Sequence, residues 1–255
     1  MKKVSKLLFI ILSLFFLASS CTKEKQGNIE INFTHTVDDK PVIFNELIYT
    51  NSAGNKYQMN EIKYFISKIY LINNDGNLVM IHQDDGIHYV DCSLSNTLIW
   101  KIYDIAATQY TGLSFVFGLD ETDNKSNRFV NEPECNFSWP NHLGGGYHYM
   151  QINGKFINKE DELQNMNIHT GIGQIYNEND EVVQFVHNYF IVNLPVNFNV
   201  ELNQTTSITL NMEIQRWFDT PNIYNFDDFG TGIMQNQNAQ KLLKENGGNV
   251  FLRSF

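Results

Sequence analysis

The sequence is poor in the residues that mark several common protein classes. It has three cysteines and five prolines among 255 residues. So few cysteines exclude a small scaffold held together by several disulfides. So few prolines, with scattered glycines, exclude a flexible linker or a low-complexity region inside the chain. Hydrophobic residues make up 42% of the chain, so the composition predicts one sizeable folded domain, or two halves packed closely together.

Positively charged residues are also scarce. Eighteen lysines and arginines face 28 acidic residues, and removal of residues 1–20 takes away three lysines and no acid. The remaining net charge of about −13 repels phosphate backbones and is compatible with holding cations. We therefore expect no nucleic-acid partner.

Only one long hydrophobic run is present, and it has the form of a secretory signal. Three lysines precede an apolar stretch over residues 7–17, and Ala18-Ser19-Ser20 lead into Cys21. The stretch is too short for a membrane span. Its end resembles a bacterial lipobox, which implies a signal peptide over residues 1–20 and a lipid anchor on Cys21. The alternative is an uncleaved anchor, or an ordinary signal with an incidental cysteine. We expect an outer-membrane lipoprotein of the cell envelope, on the periplasmic or the surface face.

Two further cysteines, Cys92 and Cys135, remain in the mature chain. Outside the cytoplasm such a pair can close a disulfide. The alternative is two small buried thiols. The distance between the two Cα atoms decides between them, and the sequence does not give it.

Apolar and polar residues alternate along much of the chain, which is the pattern of β-strands. Residues 207–214 alternate cleanly, and residues 113–117 do so in part. Residues 68–72 and 77–81 flank an Asp75-Gly76 turn and predict a hairpin. Further strands are predicted at residues 29–36, 146–155, 182–192 and 196–202, the last two separated by Pro195.

One helix is predicted, at residues 236–245, followed by Gly247-Gly248. Many short strands separated by turn residues indicate an all-β fold, an antiparallel β-sandwich with a short C-terminal helix. We place this domain at residues 28–255, after a lipidated tether at residues 21–27.

A short segment that is rich in histidine and glycine suggests a metal site. His142 and His148 flank three consecutive glycines, and His169 follows about twenty residues later. Imidazole is the commonest metal ligand in proteins. The competing interpretation makes His148 a core residue, since strand alternation places it on one face with Met150 and Ile152.

Motifs of common hydrolases are absent from the sequence. No His-Glu-x-x-His helix, no His-x-x-Glu-His motif and no Gly-x-Ser-x-Gly turn is present. The glycine triplet lacks the lysine and the strand-to-helix context of a phosphate-binding loop. We therefore expect a binding protein and not an enzyme.

An ordered series of sequence blocks resembles the MbnP-like copper-binding domains, including lipoprotein members from Bacteroidetes-type bacteria. The blocks are residues 61–71, 75–76 and 117–120, Phe137-Ser138-Trp139-Pro140, residues 146–154, His169-Thr170-Gly171 and residues 233–251. They cover most of the mature chain. No single block is decisive, but their order is fairly specific.

The resemblance implies a β-rich extracytoplasmic domain that holds copper through histidines. In some members a tryptophan oxidised to kynurenine is a further ligand. His169 matches the family's His-x-Gly block. Trp139 matches the first tryptophan of a Trp-x-Trp…Gly-Tyr block, but this chain lacks the second tryptophan and has a longer spacing to Gly146-Tyr147. The second imidazole would come from His148 or His142.

These observations together predict a lipid-anchored protein that captures or buffers copper through His169 with His148 or His142. The alternative is a surface lipoprotein that binds a glycan, a peptide or a partner protein and has purely structural histidines, since a fold can be inherited without its function.

Overall fold

The computed structural model describes residues 25–254, with side chains for residues 25–251. The predicted signal peptide and the lipidation of Cys21 lie outside these residues. Within the described part of the chain, no helix has the length and hydrophobicity needed to span a bilayer.

Strands make up most of the ordered structure. In chain order they are β1 (Gln26–Val37), β2 (Lys40–Pro41), β3 (Tyr49–Thr50), β4 (Lys56–Asn73), β5 (Leu78–Met80), β6 (Ile87–Asp91), β7 (Ile99–Ala106), β8 (Gln109–Phe117), β9 (Met150–Ile157), β10 (Leu163–Thr170), β11 (Ile172–Tyr176), β12 (Val182–His187), β13 (Phe190–Asn199), β14 (Thr205–Glu213) and β15 (Phe251–Ser254). Two α-helices follow β14, α1 (Phe226–Phe229) and α2 (Gln237–Gly247).

Two large sheets form the body of the protein. The first has the order β15-β14-β1-β2, with β7 beside β2 on the same edge of β1. The second has the order β10-β9-β4-β8-β13. Three short strands, β3, β5 and β6, each pair with a different part of the long strand β4. Most pairs are antiparallel, as predicted, whereas β1 and β14 run parallel. One continuous core joins the sheets, with Ile31 from β1 and Ile62 and Ile66 from β4 among its fully buried side chains.

A smaller cluster, here called the outer cluster, covers the opposite face of the second sheet. Phe65 points away from the core because its neighbours on β4, Tyr64 and Ile66, point into it. The outer cluster consists of Phe65, Ile87, Tyr89, Leu119, Phe137, Trp139, Leu143, Tyr147, Tyr149 and Ile172. The segment that contains the predicted metal ligands packs here, outside the main core.

Local sequence signals predict several elements well. The hairpin around Asp75-Gly76 is confirmed, since the end of β4 pairs with β5 and Gly76 takes a φ of +78°. The alternating stretch at residues 207–214 lies in β14, apart from its last residue. The predicted helix is α2, and the side chain of Asn236 caps it by accepting a hydrogen bond from the Ala239 N–H at 3.0 Å.

The strand break predicted at Pro195 is wrong. Pro195 lies inside β13, and the chain instead leaves the β-structure at Asn188 and Tyr189. Proline is tolerated here because β13 is an edge strand of the second sheet. Directly after β12, the side-chain amide of Asn188 donates to Gly171 O at 3.0 Å.

Two predicted boundaries also need correction. The tether was predicted to end at Gly27, but β1 begins at Gln26, because Gln26 and Gly27 pair with Ala106 and Ile105 of β7. A continuous strand was predicted over residues 146–155. Regular pairing starts only at Met150, and Tyr147 forms a single bridge with Ser138.

The disulfide considered between Cys92 and Cys135 is not formed, since both cysteines are free. Cys92 follows β6, and its Sγ lies 3.4 Å from His35 Nδ1. Cys135 lies in the turn Glu134–Phe137, with its Sγ 3.7 Å from Asn136 Oδ1. Each thiol therefore has its own polar neighbour. Burial raises the pKa of the Cys92 thiol to about 12, as expected for a thiol that serves packing.

Candidate metal centre

His169 lies near the end of β10, the edge strand of the second sheet. Alternation along β10 places Met166 and Ile168 in the main core. Asn167 and His169 consequently lie on the outer face. His169 is half-buried there and lines a cleft of about 1200 Å³. The wall of this cleft includes Pro140, His142, Gln174, Met234 and Lys241.

His148 comes just before β9 and lies on the outer side of the sheet. The chain bends at Tyr149, so His148 does not share a face with Met150 and Ile152 as strand alternation predicted. Its imidazole packs against the rings of Phe137 and Trp139, with centroid distances of 5.0 and 4.8 Å. His148 is 6% exposed, so it is buried, but it packs against members of the outer cluster and not in the main core.

The structure brings His148 and His169 into direct contact. Their ring centroids are 5.2 Å apart and the ring planes meet at 79°. His148 Nδ1 lies 3.1 Å from the carbonyl oxygen of Phe137. Because a carbonyl can only accept, Nδ1 carries the proton and Nε2 carries the lone pair. That Nε2 is buried and has no hydrogen-bond partner among the described residues.

A second hydrogen bond fixes the tautomer of His169. Its Nε2 lies 2.7 Å from Asn153 Oδ1, and Asn153 Nδ2 donates to Glu61 Oε2 at 2.7 Å. Since the carboxylate orients the amide, the amide oxygen faces His169 and Nε2 must donate. The lone pair of His169 is therefore on Nδ1. A hydrogen bond from the second ring N–H of a histidine to an oxygen acceptor is typical of metal ligands.

Both imidazoles are neutral at physiological pH. The pKa of His148 is lowered to about 4, mainly by burial; the hydrogen bond to Phe137 opposes this shift, and the neighbouring His169 adds to it. Burial also lowers the pKa of His169 to about 4, with an added contribution from the positive charge of Lys63. A neutral imidazole has the lone pair that a metal ion needs.

Trp139 packs against His148 of the histidine pair. It is 2% exposed, and its indole N–H donates to Leu143 O at 3.1 Å. Gly171 packs against the indole so closely that an added Cβ would come within 2.7 Å of a ring carbon. This close approach explains why glycine stands two residues after His169.

His142 is separate from the buried pair. It lies in the short turn Asn141–Leu143, is exposed, and lines the same cleft as His169. Among the described residues, no set of three histidine, cysteine or acidic side chains is arranged to hold a metal ion. The candidate site is thus a pair of imidazoles, His148 and His169, with His142 at the rim of the cleft.

Two neighbours of the pair were missed in the sequence. Asn153 lies on β9 on the same face as Gln151, the partner of His169 across the strands. Strand alternation could have suggested it once the register was known. Met234 lies 65 residues beyond His169 in a segment without regular structure, and no local signal indicates that it lines the cleft.

Comparison with known proteins identifies the family of this chain. The sequence profile of the MbnP family matches residues 26–236. The chain belongs to the MbnP family. MbnP from Methylosinus trichosporium has the same fold, with a TM-score of 0.56 and 14% sequence identity over 78% of this chain and 80% of that chain. The comparison with curated proteins gave no match. Membership in the MbnP family confirms the resemblance seen in the sequence, and the shared fold confirms the mainly-β architecture.

Proposed function

We propose that this protein binds copper through His148 Nε2 and His169 Nδ1. One observation carries the proposal: His148 Nε2 is buried beside a second imidazole and has no hydrogen-bond partner among the described residues. A buried polar atom without a partner costs about 1–3 kcal/mol. A metal ion bound at this nitrogen would remove that cost, and the hydrogen bonds of the two rings already leave both lone pairs available.

The donor set favours copper over metals that prefer oxygen. Two neutral imidazoles suit copper, zinc and iron, whereas calcium and magnesium need carboxylates. Zinc would want four donors in a tetrahedron, and among the described residues no third histidine, cysteine or carboxylate joins the pair. The copper binding implied by the family resemblance is therefore consistent with this chain's own residues.

The role that we propose is copper capture or buffering outside the cytoplasm, without catalysis. Anchoring through a lipid on Cys21 would hold the domain at a membrane of the cell envelope. A bound metal with few ligands and an adjoining cleft can be passed on to another molecule.

Titration of the metal-free protein with copper tests this proposal. The protein should bind one equivalent, and His148→Ala or His169→Ala should abolish that binding while the fold persists by circular dichroism. His82→Ala is the matched control, since His82 is exposed and lies outside the cleft. The proposal fails if the parent binds no copper above background, or if the two alanine variants bind as the parent does.

A separate experiment tests Trp139 as a modified ligand. Its ring contacts His148 edge-to-face at 4.8 Å, so a group generated by oxidation of the indole would form beside the proposed copper. Intact-mass measurement of protein purified from its native host should then show the mass change of a tryptophan-to-kynurenine conversion. An unmodified mass would exclude Trp139 as a modified ligand.

The size of the cleft favours a second candidate function. A volume of about 1200 Å³ is far more than one metal ion needs. Strands β11 and β12 border it and expose Ile175, Val183 and Phe185. A peptide or a glycan could occupy this space, with the histidines purely structural. Binding of a peptide or glycan library that persists in His148→Ala and His169→Ala, together with absence of copper binding, would favour this function.

A further inference from the structure

We propose that the thioether sulfur of Met234 is a third ligand of the copper at His148 and His169, and that it selects Cu(I) over Cu(II). This inference rests on the proposed copper site. It concerns a residue outside both histidine segments, and it assigns the oxidation state of the metal.

Residues 231 and 232 contact the edge strand β10. Gly232 forms a parallel bridge with Asn167. The backbone N–H of Asn167 donates to Thr231 O at 3.2 Å, and its side-chain amide donates to the same oxygen at 2.8 Å. These contacts bring the chain just before Met234 alongside Asn167, two residues before His169.

Burial of the residues that follow supports this contact. Ile168 and Ile233 are both buried in the main core. His169 then lies on the outer face of β10, and Met234 lies in a turn in which the Asn236 N–H donates to Ile233 O at 2.9 Å. Both line the same cleft, and Met234 is half-buried and packs against the outer cluster, to which Trp139 belongs.

Gln240 of α2 fixes the position of Met234 relative to the histidines. The Gln240 side chain donates to Met234 O at 3.0 Å and accepts from the Gly171 N–H at 3.0 Å. Gln240 is fully buried. One buried amide thus ties the backbone of Met234 to the chain two residues after His169, which fixes the starting point of the Met234 side chain beside the cleft.

The chemistry of the three groups favours the lower oxidation state of copper. A thioether is a soft donor and suits Cu(I). Two neutral imidazoles and a neutral sulfur also supply no negative charge, which a divalent ion would need more than a monovalent ion. A site of this composition should therefore prefer Cu(I) to Cu(II), both because its sulfur is a soft donor and because its ligands are uncharged.

X-ray absorption at the copper edge, on the full protein labelled with selenomethionine and loaded with Cu(I), tests the inference. The copper should show a selenium neighbour, which none of the cysteines can supply. That neighbour should vanish in Met234→Leu, which keeps the packing volume. It should remain in Met166→Leu, the matched control, because Met166 lies on β10 but is buried in the main core.

Affinity provides a second readout. Competition with a chelator should show that Met234→Leu lowers the Cu(I) affinity by about tenfold or more, since loss of an outer-shell partner alone can cost that much. The Cu(II) affinity should change much less. Copper bound through the two histidines without a selenium neighbour, and with Cu(I) affinity unchanged in Met234→Leu, would overturn the role of Met234 alone. Absence of copper from the parent would overturn the proposed function as well.

Discussion

The two regions around His35 and His148 bury an imidazole in the same way but use its nitrogens differently. His35 lies on β1, with Nε2 3.1 Å from the Tyr64 hydroxyl and Nδ1 3.4 Å from Cys92 Sγ. His148 uses Nδ1 only, and its Nε2 has no partner among the described residues. Burial lowers the pKa of both to about 4.

The difference between them shows that burial and a lowered pKa do not mark a ligand. Both imidazoles are neutral at physiological pH, yet only one has a lone pair without a partner. His35 joins β1 to β4 by a complete set of hydrogen bonds, as a structural residue does. His148 keeps one bonding direction unused, which in a buried position suggests a ligand that completes it.

The largest contrast between the two regions is expected in copper binding. His148→Ala should lose stoichiometric copper entirely, because one of two imidazole donors is removed. His35→Ala should keep it, since both nitrogens of His35 contact protein atoms. Equilibrium dialysis with metal analysis measures the difference. Equal loss of copper in the two variants, with folded protein in both, would remove the distinction.

Acid should destabilise both regions of the metal-free protein. A pKa of about 4 in the folded state lies below the ordinary value of 6.5, so the unfolded chain takes up the proton first. The stability is fully present above pH 6.5 and is lost as the pH falls toward 4. For His148 the loss is up to about 3 kcal/mol. Denaturant unfolding at several pH values in this window measures it.

Bound copper should separate the two contributions to acid sensitivity. The metal competes with the proton at His148 and should preserve that part of the stability, whereas the part due to His35 should still be lost. An acid profile that is identical with and without bound copper would contradict the assignment of His148 as a ligand.

Phenylalanine substitutions at the two histidines should lower the free energy of unfolding of the metal-free protein by unequal amounts. His35→Phe leaves the buried Tyr64 hydroxyl without its partner and should lower the free energy of unfolding by about 1–3 kcal/mol. His148→Phe removes an unpartnered nitrogen, and Phe137 O still accepts from the backbone N–H of residue 148 at 2.9 Å. Its cost should stay below about 1 kcal/mol. Urea denaturation compares the two, and equal costs would contradict the difference in partners.

The smallest effect is expected at the residue that orients His169. Asn153→Ala removes the acceptor of the His169 Nε2 proton and should lower the copper affinity by about tenfold, with the fold intact. Asn165→Ala is the control, because Asn165 is exposed on β10. Chelator competition provides the affinities. An unchanged affinity in Asn153→Ala would mean that this hydrogen bond does not position the ligand.

The sequence predicted those parts of the fold that depend on near neighbours. The Asp75-Gly76 turn, the alternating residues of β14 and the C-terminal helix have signals that act over a few residues, and each is confirmed. The break at Pro195 was predicted wrongly, because the cost of a proline in a strand depends on whether that strand is at an edge. Edge position is a property of the whole sheet.

The candidate site was only partly predictable for the same reason. His148 and His169 were named from the histidine-rich segment and from the family resemblance, but the bend at Tyr149 that turns His148 away from the core has no local signal. The roles that we propose for Asn153 and Met234 depend on contacts with chain segments that are 16 and 65 residues from His169. The distance between Cys92 and Cys135 likewise depends on the completed fold.

The parallel pairing of β1 with β14 governs when this protein can finish folding. Side chains 177 residues apart, such as Thr34 and Asn211, meet across that pair. Contacts over such a distance form slowly, since a long loop must close before they are made. β1 cannot complete this pairing until β14, near the C-terminal end of the described residues, has been synthesised. Such late closure of the domain is compatible with the export from the cytoplasm that we propose.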